Sequence, residues 1–488
     1  MEFPIEVVFE PPSRSELRAW LRLRRVWVVC VLVLLAVGIA AGLAELGRAD
    51  ALASAPGVPL RIASHPSNAR VWVDNRERGR TPLELSLAPG HHSAAIRAPG
   101  AHDGNYEVDV GMPGASLDAN LFRAQPVVAR IRPALPGATL DDVRLLDDGE
   151  LALTAMLAPG QLETWRLDPS TGAIEPIFTE ITAARVAVAN DGTYAAYVGG
   201  DIGPRALTAD QQATSGAVLW LQSTASSGTY AGWRPPPGEV VLDASWSPRA
   251  EALLVVTGRR ASSADPAPLT RLWWVDHTAD AARELRSLPS VVVPGSESWS
   301  PDGQHVAFVV HAGALNALCL MSADGSFRYL ADLEASSGPP LPYAPVGWAS
   351  DSQHLLFSAP EQFRAPPAPS TWFQTTPVHV VFEASVSESL PTPVGAAQFA
   401  VPGWAPDGRI VGLGRAGSGD DAKLAVEVLS SGNRLDRILD VPLNATRNFA
   451  AEWDSAHSRA VVANRTSLGS IEYWSVLLGA DDTSEGAP

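Results

Sequence analysis

The feature that most constrains the fold is a short turn motif that recurs along most of the 488-residue chain. Its clearest copy is Trp299-Ser300-Pro301-Asp302-Gly303, and Trp404-Ala405-Pro406-Asp407-Gly408 repeats it. An apolar run of strand length follows each copy. Proline fixes φ at the start of a turn, aspartate accepts bonds from nearby amides, and glycine adopts the positive φ that other residues resist. The motif therefore predicts a tight turn between two strands.

Looser copies extend the pattern. Three of them keep the tryptophan and begin at Trp246, Trp348 and Trp453. Two more keep only the Asp-Gly turn, and the aligned positions are 145, 188, 246, 299, 348, 404 and 453, about 51 residues apart on average. That spacing is typical of one four-stranded blade of a β-propeller. A lone sheet cannot cover both of its faces, so we expect the tryptophans to be core residues that pack under the next blade, rather than a platform for sugars.

These repeats resemble those of TolB-type and WD40-like β-propellers, whose signature is Trp-Ser-Pro-Asp-Gly followed by an apolar strand. The resemblance covers about residues 125–482 and implies about seven four-stranded blades, or six if the weak first repeat is incomplete. We expect the early strand Val127–Ile131 to complete the last blade. Membership in this family implies an extracytoplasmic binding or scaffold platform and specifies no reaction.

Residues 59–113 show a different pattern, with period-two alternation in short segments separated by turn residues. This pattern predicts a small antiparallel β-sandwich. The segment resembles the PEGA domain in the order and spacing of Ser64, Pro66, Ala69, Val71, Trp72, Val73, Asp74, Gly79, Thr81, Pro82, Pro89, Gly90 and His92. Asn75 stands where that family has glycine, and asparagine also tolerates a left-handed turn. The resemblance implies a bacterial cell-surface module with a binding role and no catalysis.

An uncharged apolar run from Val26 to Ala44 is long enough, at roughly 28 Å as a helix, to span a bilayer. Five arginines precede the run and only Arg48 follows closely, so the positive-inside rule places the N-terminus in the cytoplasm. The alternative is a signal peptide cleaved after Ala53, although the run exceeds the usual length of such peptides. We expect an uncleaved, single-pass anchor in the cytoplasmic membrane, with the later domains outside the cell or in the periplasm.

These observations divide the chain into consecutive parts. They are a cytoplasmic tail (1–25), a transmembrane helix (26–46), a linker (47–58), the PEGA-like module (59–113), a second linker (114–124), the propeller (125–482) and a C-terminal tail (483–488). The overall expectation is an all-β protein with one N-terminal transmembrane helix.

Composition excludes several function classes. The formal net charge of −17 argues against nucleic-acid binding through a basic face. The two cysteines, Cys30 and Cys319, would lie on different sides of the anchor and cannot pair. Adjacent acids such as Asp141 and Asp142 are interpreted as solvated turns. We therefore predict no catalytic, cofactor-binding or metal-binding residues, and no cofactor.

The sequence thus favours a membrane-anchored, non-catalytic binding or scaffold protein. Its expected partners are the lipid bilayer, through one helix, and a cell-envelope protein or polysaccharide. The alternative is a propeller-type polysaccharide lyase or hydrolase acting at the channel mouth, for which Asp276, His277, His311 and His354 are the available candidates. We expect the channel lining to be neutral and apolar, which would disfavour this alternative.

Overall fold

The computed structural model of the protein describes a large part of the chain. The described residues are 57–158, 161–182, 185–199, 218–223, 230–259, 270–312, 315–333, 343–360, 379–388, 390–417, 422–429, 434–446, 449–454, 459–466 and 470–480. These residues form strands, turns and loops, and they include no apolar helix of membrane-spanning length. The expected transmembrane helix 26–46, the tail 1–25 and the tail 483–488 lie outside the described residues.

The N-terminal sandwich, residues 58–120, consists of two small sheets. Its strands are β1 (Val58–His65), β2 (Arg70–Val73), β3 (Arg76–Arg80), β4 (Leu83–Leu87), β5 (Gly90–Arg97), β6 (Gly104–Val110) and β7 (Ala115–Asn120). One sheet has the order β4-β1-β7 and the other β3-β2-β5-β6. Alternate residues of both sheets, such as Ile62, Val71 and Ile96, are fully buried between them. Period-two burial therefore builds a separate core for this domain.

The sequence-based boundary of this domain was too early. β7 lies in the segment interpreted as the linker 114–124, and it pairs in parallel with β1, with Ile62 opposite Leu117. Leu117 and Ala119 are buried while Ser116 and Asp118 are exposed, which is the alternation of a half-buried strand. The chain does not leave the domain at residue 113 but returns to pair with its first strand, so the sandwich is not purely antiparallel.

The residues that carry the PEGA pattern hold the turns of the sandwich together. Asp74 and Asn75 both have positive φ, and the Asp74 Oδ2 atom lies 2.8 Å from Nδ1 of His92. The Thr81 hydroxyl lies 2.6 Å from that of Ser64 and accepts the Ala69 amide. These hydrogen bonds link neighbouring strands, and they explain the spacing of Ser64, Thr81, Asp74 and His92 in the PEGA pattern.

The remaining strands form sheets that follow one another along the chain. After β8 (Phe122–Arg130), the first sheet contains β9 (Thr139–Leu145), β10 (Leu151–Ala158), β11 (Gln161–Leu167) and β12 (Ile174–Thr182). The second contains β13 (Arg185–Val188), β14 (Tyr194–Gly199), β15 (Val218–Ser223) and β16 (Tyr230–Trp233), and the third β17 (Glu239–Trp246), β18 (Ala252–Arg259), β19 (Thr270–Asp276) and β20 (Ala282–Leu288). The fourth contains β21 (Val291–Val292), β22 (Ser298–Trp299), β23 (His305–Ala312), β24 (Leu315–Ser322) and β25 (Phe327–Leu333).

The last three sheets repeat the same order. The fifth contains β26 (Val346–Trp348), β27 (His354–Pro360), β28 (His379–Ser385) and β29 (Thr392–Gly395), and the sixth β30 (Phe399–Trp404), β31 (Ile410–Ala416), β32 (Lys423–Leu429) and β33 (Leu435–Asn444). The seventh contains β34 (Phe449–Asp454), β35 (Arg459–Arg465) and β36 (Ile471–Gly479), and β8 is its fourth strand. In β8, Val128 lies opposite Val476, so a strand from the start of the domain completes the sheet formed by its end, as expected for residues 127–131.

Each sheet packs against the next through its own apolar cluster. The third and fourth sheets, for example, share Val256, Leu272 and Phe308, all nearly inaccessible to solvent. The seventh sheet shares a cluster with the first, in which Val461 and Tyr473 meet Leu153. The described sheets therefore close on themselves, which is the architecture of a β-propeller.

The aligned repeat positions mark the ends of the innermost strands. Indole N–H groups bond the neighbouring sheet in a regular way, since Trp246 donates to the Ala187 carbonyl (3.1 Å), Trp299 to the Ser245 hydroxyl (2.9 Å) and Trp348 to the Ser298 carbonyl (3.1 Å). Each acceptor comes immediately before the aligned position of the preceding sheet. We expected the tryptophans to pack under the next blade. The indole N–H groups of these three instead bond the preceding blade.

The motif turn has the expected conformation. Gly303 has a φ of 70° and Gly408 a φ of 82°. The Asp302 carboxylate accepts the Gln304 amide (2.9 Å) and the Ser300 hydroxyl (2.6 Å). Burial opposes ionisation of Asp302, but these hydrogen bonds prevail and lower its pKa.

The innermost strands of the fifth and sixth sheets approach very closely at Gly347. A Cβ atom at this position would lie 1.7 Å from the Pro402 carbonyl oxygen, whereas one at Gly403, the equivalent residue of the next sheet, would have its nearest neighbour at 3.9 Å. We expect Gly347→Ala to lower the free energy of unfolding by about 1–3 kcal/mol, because two backbones must separate. Gly403→Ala should change it by less than about 1 kcal/mol. Denaturant unfolding of both variants checks this, and equal effects would contradict the close approach.

Candidate functional site

A cavity of about 1620 Å³ lies at the mouth of the central channel. Its floor and walls come from the innermost strand of every sheet, and residues 101–106, 116, 118 and 120–122 of the N-terminal sandwich and its connection line the opposite side. The cavity thus lies between the sandwich and the propeller face that carries the tryptophan turns.

The sandwich contacts the sixth sheet through that sheet's motif turn. Asp407 accepts the Glu107 amide (3.2 Å) and the Arg409 Nε–H (2.6 Å), and the Arg409 guanidinium also donates to the Asn105 carbonyl. The Asp407 side chain is fully buried in this contact. Burial, together with the charge of Asp407, raises the pKa of Tyr106 to about 12. One copy of the structural turn therefore also holds the two domains together.

An aromatic collar surrounds the cavity, formed by Trp246, Trp299, Trp348, Trp404 and Trp453. Trp246 is only 3% exposed, whereas the other four are half-buried. In three of the five, the indole N–H is bonded within the ring of sheets and is not offered to the cavity. The collar thus combines the expected core role with a lining role that the sequence analysis did not expect.

The floor of the cavity is strongly charged, which contradicts the neutral, apolar lining that we expected. Its charged cluster has five carboxyl groups and two guanidiniums. Six of these residues line the cavity, namely Asp142, Asp243, Glu297, Glu452, Arg144 and Arg185, and Asp141 lies behind them beside Arg185. Arg185 donates to Asp243 (3.1 Å) and lies 3.6 Å from Asp141. Arg144 donates to Asp142 (3.0 Å) and to the Gly295 carbonyl (2.6 Å). Carboxylates therefore exceed guanidiniums by three.

Burial and like charges shift the titration of this cluster. Burial is the main cause that raises the pKa of Asp141, and Arg185 opposes it only partly. Burial also raises the pKa of Glu297, to about 8, with a further contribution from Asp243 and opposition from Arg144 and Arg185. The Glu297 Oε1 atom is buried and has no hydrogen-bond partner among the described residues. Much of Glu297 thus keeps its proton at neutral pH.

Comparison with known proteins identifies the N-terminal sandwich. The PEGA domain model matches residues 58–121. Residues 58–121 form a PEGA domain. Comparison with curated proteins finds none that matches the sequence. The PEGA domain therefore ends where β8 begins, with no linker before the propeller.

Solved structures similar to this chain are distant. An oligogalacturonate lyase from Vibrio parahaemolyticus is 11% identical with a TM-score of 0.43, over 72% of this chain and 96% of that one. The β-propeller domain of the Trilobed protease from Pyrococcus furiosus is 12% identical with a TM-score of 0.39, over 72% and 98%. TolB from Acinetobacter baumannii is 12% identical with a TM-score of 0.26, over 68% and 80%.

The four residues considered for an enzyme are not brought together. Only His354 lines the cavity, where its Nδ1 atom lies 2.7 Å from Asp351 Oδ2, and this bond is the main cause that raises the pKa of His354. His311 contacts Asn316 (2.9 Å) across the β23–β24 hairpin. Asp276 ends β19 and accepts the Thr278 hydroxyl. His277 lies between them in the same exposed turn. None of these three lines the cavity.

No group of three or more histidine, cysteine, aspartate or glutamate side chains in the described part of the chain is arranged to hold a metal ion. Cys319 is a buried thiol without a disulfide, and Cys30 lies outside the described residues. Burial raises the pKa of the Cys319 thiol to about 12, so it stays protonated. The neighbouring His91 and His92 of the PEGA domain contact different acids, Asp109 and Asp74.

Sequence reasoning missed the charged cluster. Asp141 and Asp142 were interpreted as a solvated turn, but they lie in β9 and are not exposed. A usable signal was present, because Asp142, Arg185 and Asp243 each come three residues before an aligned repeat position. Polar residues at a fixed offset on an innermost strand all face the channel, since a propeller places equivalent positions at equal radius.

Glu297 gives the protein a testable pH dependence. The pKa of Glu297 is about 8 in the folded chain against 4.5 ordinarily, so between these values the folded chain holds a proton that the unfolded chain has released. Stability should therefore fall as pH rises through this range, by at most about 1.4 kcal/mol per pH unit from this group. Glu297→Gln should remove this contribution and stabilise the protein at pH 8 relative to wild type.

Urea unfolding at pH 5 and pH 8 measures this effect. Glu175→Gln, an exposed position on the outer strand β12, is the matched control and should follow wild type at both pH values. A Glu297→Gln variant with the same pH dependence as wild type would contradict the raised pKa.

Proposed function

We propose that the protein is a membrane-anchored, extracytoplasmic binding or scaffold protein, without catalysis, that recognises a cell-envelope polysaccharide or protein. The observation that carries this proposal is the cavity of about 1620 Å³ between the PEGA domain and the propeller. It combines an aromatic collar with fixed charges, the combination of apolar walls and a few placed polar groups that ligand sites use. Bonds to neighbouring carboxylates and to the backbone hold Arg144 and Arg185 in place at the floor.

The proposed architecture is a propeller of seven blades, one for each sheet described above. The clusters that join consecutive sheets, and the seventh to the first, support this number. Each aligned repeat position, including the weak first one at Leu145, ends the innermost strand of a sheet or lies next to its end. Leu145 donates its amide to Glu452 (3.0 Å), a contact across the closure between the seventh and first sheets.

Filling part of the cavity should weaken binding. Ser350 is exposed and lines the cavity, so Ser350→Tyr should fill part of it without disturbing the fold. We expect the immobilised full-length wild type to retain material from solubilised envelope protein or polysaccharide fractions, assayed separately. Ser350→Tyr should retain at least fivefold less, while Ser287→Tyr, on the outer edge strand β20, should behave as wild type. Equal retention by all three proteins would refute binding in the cavity.

The proposed localisation is the cytoplasmic membrane, with residues 1–25 inside, a helix at 26–46 and the two domains outside. The uncharged run 26–44 and the arginines before it support this arrangement. We expect the full-length chain to stay in the membrane fraction on alkaline extraction, and protease added to spheroplasts to digest the domains. A protein released by extraction, or protected from external protease, would refute the anchor or its orientation. Mass spectrometry of the N-terminus distinguishes cleavage after Ala53.

A further inference from the structure

The cavity carries a large excess of negative charge. Nine carboxyl groups line it against four guanidiniums. Each guanidinium already has a carboxylate partner, since Arg185 bonds Asp243, Arg144 bonds Asp142, Arg409 bonds Asp407 and Arg437 bonds Asp440. Among the described residues, an anionic ligand would therefore meet an excess of carboxyl groups and guanidiniums that are already paired, whereas a cationic ligand would relieve the repulsion between carboxylates.

The floor contains a carboxyl group whose hydrogen-bonding capacity is unused. Glu297 Oε1 is buried without a partner among the described residues, although buried polar atoms are normally bonded. Glu297 faces Asp243, Arg144 and Arg185, and it lines the cavity. A ligand group that donates hydrogen bonds and carries positive charge would satisfy this carboxyl and compensate the adjacent Asp243.

The collar and the size of the cavity limit the kind of cation. Indole faces attract cations and stack against the apolar faces of sugar rings. The volume of about 1620 Å³ exceeds the roughly 300–1,000 Å³ of pockets for small ligands, so an extended ligand fits better than a single small molecule. The described residues offer no cluster suited to a bare metal ion. These features favour an organic cation distributed along a chain of rings.

We propose that the cavity binds an amino-sugar oligosaccharide through its primary ammonium groups, with sugar rings against the tryptophan collar and an ammonium group at Glu297 and Asp243. This inference rests on the proposed binding function and specifies the ligand class. A bound cation favours the ionised carboxylate, so Glu297 should release its proton when the ligand binds.

Three tetrasaccharides that differ in charge test the ligand class. Calorimetric titration of the full-length protein at pH 6 and low salt compares tetramers of glucosamine, N-acetylglucosamine and galacturonate. We expect the glucosamine tetramer to bind at least tenfold more tightly than the neutral tetramer, and the anionic tetramer to show no binding. Raising the salt concentration should weaken the first interaction, because charges are screened.

Variants separate the role of Glu297 from a general loss of structure. Glu297→Gln should weaken binding of the glucosamine tetramer about tenfold while leaving the neutral tetramer unchanged, and Glu175→Gln should leave both unchanged. Repeating the titration in buffers with different ionisation enthalpies measures proton release. Release of up to one proton by wild type, and its loss in Glu297→Gln, is the expected signature.

The outcomes distinguish this inference from the function on which it rests. Equal affinity for charged and neutral tetramers would overturn the ligand class while leaving polysaccharide binding intact. Tighter binding of the galacturonate tetramer, or displacement of the glucosamine tetramer by millimolar Ca²⁺ or Mg²⁺ at constant ionic strength, would also overturn it. Failure of every tetramer to bind, with retention of envelope protein still blocked by Ser350→Tyr, would overturn it in favour of a protein partner.

Discussion

The structure depends on one constraint, which is that a four-stranded sheet with two apolar faces must be covered on both of them. Residues such as Leu254 and Leu253 are neighbours on β18, point to opposite faces, and are both fully buried. Only a sheet on either side can bury both, so the sheets form a series. A series ends in two uncovered faces unless it closes, and here the seventh sheet covers the first. Closure is therefore a requirement of burial, and the channel and its cavity are consequences of closure.

The tryptophan turns connect this burial to the cavity. The indole N–H groups of Trp246, Trp299 and Trp348 each bond the previous sheet, which helps to set the spacing of neighbouring blades. The same indoles line the channel mouth because the innermost strands end there. A residue type selected for packing thus provides an apolar lining without further adaptation. The charged floor occupies positions on the same strands that packing between blades does not use.

Much of the fold follows from the sequence because its determinants are local. The Pro-Asp-Gly turn at Gly303, the left-handed residue Asn75 and the closing strand β8 could all be predicted from residue type and alternation. The strand β7 was not, because its pairing with β1 is parallel and distant in sequence. The charged cluster was not predicted for a related reason. Asp142, Arg185 and Asp243 are far apart in the chain, and only the curvature of the ring brings them together. The contact of the PEGA domain with Asp407 likewise could not be predicted, because Glu107 and Asp407 are 300 residues apart in the chain.

The short connection between β7 and β8 links the folding of the PEGA domain to the closure of the propeller. β7 ends at Asn120 and β8 begins at Phe122, so a single residue separates the PEGA domain from the strand that closes the propeller. During synthesis, β8 emerges long before β36, its partner, which ends at Gly479. The PEGA domain can assemble early, while its C-terminal neighbour has to wait with an unpaired edge until the last blade is made. A chaperone that shields such an edge would therefore matter most for the segment beside the PEGA domain.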